Sequence, residues 1–204
     1  MSEERHEIIK FGIYRLTTIE QPSDINIWTD IEWIVLKRVE DKALLLSKDC
    51  LVWEFFSGHN TLFEPAKPST WEESYVREVL NGEIYNSAFT DEEKQVILSL
   101  NEHDDKLFLL SKEEVIECIT DKELWQAEIV FADDTDDKIR IWRELSPWWI
   151  NTVGDEPNRM CVMYDADICE TGIYNDADEI GVRPAMWVDY RMLMKLRSLI
   201  KTWL

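Results

Sequence analysis

Carboxylates crowd the last third of this chain. Between Trp148 and Asp189 stand Asp155, Glu156, Asp165, Asp167, Asp176, Asp178 and Glu179, with the amides Asn158 and Asn175 and the thiols Cys161 and Cys169 among them. Oxygen-rich side chains at that density hold cations or face the Lys and Arg of a basic partner. Catalysis has less to work with. The histidines are His6, His59 and His103, all far in sequence from these cysteines. No nucleophile elbow, phosphate-binding glycine loop or metalloprotease helix is spelled out, and six glycines are too scattered to build one. The stretch reads as a surface that binds, and no enzyme is expected.

The totals agree. The chain has 42 acidic against 22 basic residues, a net charge of −20. Such a field repels nucleic acid and anionic membranes and attracts basic partners. Arg191, Lys195, Arg197 and Lys201 follow Asp189 with no acid among them, so the rest of the chain is more negative still. Cys50, Cys118, Cys161 and Cys169 show no CxxC spacing, and the charged start Met1-Ser2-Glu3-Glu4-Arg5-His6 is no secretory signal. Reduced thiols and a cytoplasmic location are expected. No apolar run approaches a membrane span.

The elements that must position these groups follow from pattern. Glu7 to Thr17 alternates as a strand, and Pro22-Ser23-Asp24 is a turn. Glu32–Arg38 and Ala43–Ser47, split by Glu40-Asp41, read as a β-hairpin with a buried face. Three capping boxes open helices: Thr70-Trp71-Glu72-Glu73, Thr90-Asp91-Glu92-Glu93 and Ser111-Lys112-Glu113-Glu114. After them, Trp71, Tyr75, Val76, Val79 and Leu80, then Val96, Ile97 and Leu100, then Val115, Ile116 and Ile119 fall at helical spacing, and the first helix ends at Gly82. Lys106–Leu110 is a short strand. Ala132-Asp133-Asp134-Thr135-Asp136-Asp137 lacks the Gly and closing Glu of a calcium loop and reads as a solvated acidic turn. Trp148 to Ile180 reads as a long polar loop, of the kind that carries function. Arg191–Leu204 is an amphipathic helix with Met192, Leu193, Leu196, Leu199, Ile200 and Trp203 on one stripe, a candidate to dock on the domain or on a second copy as a homodimer. Of ten tryptophans, Trp33, Trp71 and Trp187 belong to the core; Trp28, Trp125, Trp142, Trp148 and Trp149 sit in or beside irregular segments and are candidate contact anchors.

EWIVLKR, ALLLS, TWEESYVREVLNGEIYNSAFT, KLFLLS, a double tryptophan followed by Gly154, and GVRPAMWV occur in that order. Over roughly Phe11 to Val188 the chain resembles a bacterial and phage family of unknown function with TW-E-S-LR-WLN-FY–AF, DK-FLLS, WWLRSPG and GVRPALWL motifs. Asn151 stands where that family has the arginine of WWLRSPG. The family is similar to the C-type-lectin-like fold, shared with formylglycine-generating enzymes. The resemblance implies a small twisted antiparallel sheet with flanking helices under the long loop, in one α+β domain over 1–189; the basic helix over 190–204 lies beyond the family's usual ending. Gly181, Arg183 and Pro184 are then structural, like the Gly-Phe-Arg ending of those enzymes.

Three functions follow as expectations. The first is a non-catalytic binding protein, in which Trp148, Trp149, Asp155, Glu156, Asp165, Asp167, Asp176, Asp178 and Glu179 meet a basic macromolecular partner. In its phage form the carboxylates mimic nucleic acid and inhibit a nucleic-acid-binding defence complex; direct binding of nucleic acid or membrane is not expected. The second is a calcium-dependent carbohydrate binder: Glu156-Pro157-Asn158 spells the EPN of mannose-type lectins, and Tyr174-Asn175-Asp176 stands where they place Trp-Asn-Asp. The first reading needs no cofactor; calcium on Glu156, Asn158, Asn175 and Asp176 belongs to this second one. The third is a copper oxidase of the formylglycine-generating kind on Cys161 and Cys169.

Overall fold

The computed structural model of the protein describes residues 6–18, 27–54, 70–100, 102–135, 138–155, 158–174, 176–177 and 179–202. They form a mixed α+β structure, mostly strand, with short helices and a C-terminal helix. The strands are β1 (Ile8–Arg15), β2 (Thr17–Thr18), β3 (Trp28–Val39), β4 (Lys42–Ser47), β5 (Val52–Trp53), β6 (Ala127–Thr135), β7 (Lys138–Ser146), β8 (Trp148–Val153), β9 (Arg159–Val162), β10 (Ile168–Ile173), β11 (Gly181–Val182) and β12 (Ala185–Asp189). They make three sheets, ordered β1-β3-β4-β12, β10-β9-β8-β11-β5 and β2-β6-β7. The helices are α1 (Tyr75–Val79), α2 (Tyr85–Ala88), α3 (Asp91–Lys94), α4 (Lys112–Cys118) and α5 (Tyr190–Thr202), with a π-helical segment Leu80–Ile84 joining the first two. One buried apolar cluster runs through all three sheets and takes in Leu193 of α5. No helix among the described residues is long and apolar enough to cross a membrane.

The expected hairpin is β3–β4, but it is buried on both faces rather than one: Ala43 to Ser47 are buried in succession, and so are Trp33 and Ile34 opposite Ser47 and Leu46. Glu40 makes the tight turn with φ 53°. In β1, Gly12 at φ +73° sits within the register shift against β3, and a Cβ there would come 2.6 Å from the Phe89 ring. Thr90 and Ser111 cap their helices as full capping boxes. The first expected helix start moves. Ser74 is the cap, accepting from the Arg77 N–H, because Trp71 is drawn instead to Asp105. The helix after Thr90 stops at Lys94, since Ile97 bridges Val188 of β12 and the chain must extend to reach it. In the expected strand Lys106–Leu110, Leu107 to Leu110 are buried, but the segment bridges β12 only at Phe108↔Ala185.

The expected long loop is corrected most. Trp148 to Ile173 is largely an antiparallel meander of β8, β9 and β10. Consecutive apolar residues, Trp148-Trp149-Ile150 and Cys161-Val162, are buried on both sides of the sheet, so no simple alternation announces the strands. GVRPA carries the chain from the second sheet into the first: Gly181-Val182 is β11, Ala185 opens β12, and Arg183-Pro184 is the step between. Of the expected C-terminal stripe, Leu193 is buried and Leu196 packs partly against the core, while Met192 and Leu199 remain exposed.

Candidate functional site

The meander stands on a rigid base. Trp148 and Trp149 are wholly buried, and their indole N–H groups donate to the carbonyls of Trp125 (2.7 Å) and Glu54 (2.8 Å). Their expected place on the contact surface is therefore corrected: two large rings flanked by strands on both sides are worth more inside the core. Trp125 is buried as well, Trp142 is half-buried against Phe131, and Trp28 is exposed. Arg183 lies under Trp148, its guanidinium 5.0 Å from the ring centroid. Its Nε donates to the Ser47 carbonyl (2.8 Å) and Nη1 to that of Leu124 (2.7 Å). Burial pulls its pKa down to about 10, against weaker upward pulls from Cys50 and Asp49. Pro184 offers its carbonyl to the Ser47 N–H (2.9 Å). Gly181 is packed so closely that a Cβ would meet the Cys50 sulfur at 2.4 Å.

Above this base the acids divide between the two ends of the meander. Asp155 is exposed in the β8–β9 turn, whose backbone is tied to β10 through Asp155 N–H to Thr171 O (2.9 Å). Asn158 closes the same turn, and Asp176 follows the end of β10 beside Tyr174. At the opposite end, the β9–β10 turn holds Asp165, which accepts from the Asp167 N–H (3.2 Å), and Asp167, which pairs with Lys122 (3.2 Å). Glu179 leads into Gly181, the register partner of Trp148, and so lies at that second end, exposed with φ 60°. Each end carries an exposed tyrosine that the sequence reading did not name as a contact residue. Tyr164 is 49% and Tyr174 63% exposed. The available signal was their place in turns, directly before Asp165 and Asn175-Asp176. Glu156, Asn175 and Asp178 lie outside the described residues; Asn158 and Asp176 of the expected calcium set are described, and Asn158 Oδ1 is buried without a hydrogen-bond partner.

Cys161 and Cys169, eight apart in sequence, are direct register partners on β9 and β10. The Cys161 sulfur also lies 3.4 Å from that of Met163. Burial, with Cys169 adding to it, pushes the Cys161 thiol up to about 12, so at neutral pH it is a protonated, apolar core group rather than a nucleophile.

A second polar feature joins two of the sequence segments. Asp105, almost wholly buried, accepts from Trp71 Nε1 (3.0 Å) and from Arg77 Nε (2.9 Å), with Nη2 2.9 Å away. Asn81 Oδ1 accepts from the N–H groups of Lys106 (2.7 Å) and Leu107 (3.0 Å). The resulting cleft of 620 Å³ is lined by Glu72, Glu73, Glu78 and Asp104 alongside Arg77, His103 and Lys106. Its sequence signal was the pairing of TWEESYVREVLN with DKLFLL.

A family model, Domain of unknown function (DUF6273), matches residues 40–190. The chain belongs to this family. The DUF6273 region runs from the β3–β4 turn to the start of α5, so it contains the cleft, the whole meander and the Arg183 step, and leaves β1, β2 and β3 outside. No curated protein and no solved structure matches the chain.

Proposed function

We propose that this protein is a non-catalytic binding module that presents carboxylates and tyrosines to a basic macromolecular partner. One observation carries the reading: a meander anchored by buried Trp148, Trp149 and Arg183 holds an exposed tyrosine at each end, with exposed Asp155 and half-buried Asp176 at one and exposed Asp165, Asp167 and Glu179 at the other. Tyrosine supplies contact area at low entropy cost, and the carboxylates supply steering and register against Lys and Arg. A partner surface that otherwise holds nucleic-acid phosphates has the matching chemistry, which is the inhibitor of a nucleic-acid-binding defence complex expected from the sequence. The lectin-like arrangement, a sheet scaffold offering its connections for contact, is the fold form of the same proposal.

The test is capture from host lysate at low and high salt. The wild-type chain is compared with one variant reversed at one end, Asp155→Lys with Asp176→Lys, and another at the other, Asp165→Lys with Glu179→Lys. A basic nucleic-acid-handling protein retained at low salt, shed at high salt and lost with either variant supports the reading. Equal retention by wild type and both variants overturns it. A calcium-dependent sugar site is the second reading, favoured by the unpartnered, buried Asn158 Oδ1. It requires calcium to raise the melting temperature, and Asn158→Ala to abolish that rise.

A further inference from the structure

The outer edge of β7 is the most unusual surface among the described residues. Ile139, Ile141 and Leu145 are 58%, 59% and 47% exposed, on one face of the edge strand of the β2-β6-β7 sheet. Edge strands with apolar side chains and open backbone groups are templates for pairing. Charge singles this edge out further. In a chain of net charge −20, β7 carries Lys138, Arg140 and Arg143 against Glu144 alone. Arg140 and Glu144 stand two residues to either side of Trp142, so an antiparallel pair of these edges sets opposite charges together.

We propose that two copies of this chain pair through β7, antiparallel, about a two-fold axis at Trp142. The backbone directions follow from the sheet. Cys50 N–H donates to Glu128 O (2.8 Å) from the side of β6 opposite β7. Backbone groups alternate along a strand, so Ile129, Phe131 and Asp133 point toward β7, where they face Glu144, Trp142 and Arg140 in an unshifted register. Ile139, Ile141, Arg143 and Leu145 therefore turn their N–H and C=O groups outward. Pairing two such edges makes about eight backbone hydrogen bonds and one continuous six-stranded sheet.

The side chains fit the same register. Ile139 lies opposite Leu145 of the partner subunit, and Arg140 opposite Glu144 of the partner subunit, each contact made twice by symmetry. Ile141 meets the stem of Arg143 of the partner subunit, since the Arg143 head group in each copy is held by Asp49 (2.8 Å) and Glu128 (3.2 Å) of its own chain. The tryptophans at residue 142 meet at the axis, each still stacked on Phe131 with ring centroids 5.6 Å apart. A register centred on Ile141 instead leaves Leu145 uncovered and sets Arg140 against an indole rather than a carboxylate.

The experiment is sedimentation velocity of the full chain over a micromolar concentration series. The wild type is expected as a dimer. Arg140→Glu and Glu144→Arg singly place like charges opposite each other twice, and each weakens dimerisation by about tenfold or more. The double variant R140E/E144R restores it. Ile141→Pro removes an outward N–H at an edge position that tolerates proline and gives monomer with an unchanged circular dichroism spectrum. A wild type that stays monomeric overturns the proposal. So does a dimer indifferent to R140E and E144R, or one that the double variant fails to restore; the exposed face of α5 is then the surface to mutate.

Discussion

Replacing Arg183 with methionine tests the base on which the candidate site stands. Burial lowers the pKa of this group from its ordinary value to about 10, which corresponds to roughly 3 kcal/mol for keeping the charge inside. Against that cost stand two hydrogen bonds from a charged donor, to the Ser47 and Leu124 carbonyls, contributing about 1.5–3 kcal/mol each. The Trp148 ring adds about 1–2 kcal/mol in this desolvated setting. Methionine fills much of the volume and recovers the charging cost, but it donates to neither carbonyl and loses the ring contact. The balance is a loss of about 1–5 kcal/mol. Lysine keeps the charge and reaches one carbonyl, so Arg183→Lys falls between the two. Urea unfolding followed by tryptophan fluorescence and circular dichroism reads both variants, with Trp148 itself a reporter. An Arg183→Met protein within about 0.5 kcal/mol of wild type refutes the reasoning, because the carbonyls then gain nothing from the guanidinium.

Three further outcomes are expected. Gly181→Ala drives a methyl into the Cys50 sulfur and the Ser146 hydroxyl, at 2.4 and 2.8 Å, and costs about 1–3 kcal/mol in urea unfolding; Cys50→Ala in the same chain recovers only part, because the Cys50 Cβ remains at 2.9 Å. Cys50 and Cys161, both pushed up to about 12 by burial, resist a thiol-specific disulfide reagent at neutral pH until the protein unfolds, while half-buried Cys118 and Cys169 react first; rapid labelling of native Cys161 contradicts its place in the core. The hydrogen bond from Lys48 holds Glu32 below its ordinary value of 4.5, so this pair's stabilisation is present above that value and is lost as pH falls through the lower folded-state value. Lys48→Met therefore costs a few tenths of a kcal/mol near neutral pH and nothing once Glu32 is protonated in both states, which a series of urea titrations from neutral to acid pH measures.

The parts of the fold legible in the sequence are those decided by near neighbours. Thr90 and Ser111 cap helices because each capping partner stands three residues on. The β3–β4 hairpin is legible because Glu40-Asp41 breaks two apolar runs. Where a distant residue decides, local pattern fails. Trp71 is taken by Asp105, thirty-four residues later, and the helix start moves to Ser74. The meander was hidden for a related reason. Register shifts between Trp149 and Val153 and between Cys169 and Ile173 break the period of two, and its turns are so acidic that the whole stretch resembles a loop. Cys161 and Cys169 become neighbours only through strand register.

The acids were legible as exposed groups because a carboxylate in a turn needs only water. Which aromatic rings accompany them was not, because ring type says less than position. The tryptophans of β8 lie between paired strands, whereas Tyr164 and Tyr174 lie where strands end. That placement constrains the ligand. The four-residue strand β9 spans about 13 Å, so its two acidic ends are separated by more than the roughly 8 Å over which physiological salt screens exposed charges. A point cation at one end gains little from the carboxylates at the other. A basic surface laid along the meander gains from both, with one tyrosine under each half of the contact. The proposed extended partner would use both ends at once, a feature of the placement that net charge alone does not supply.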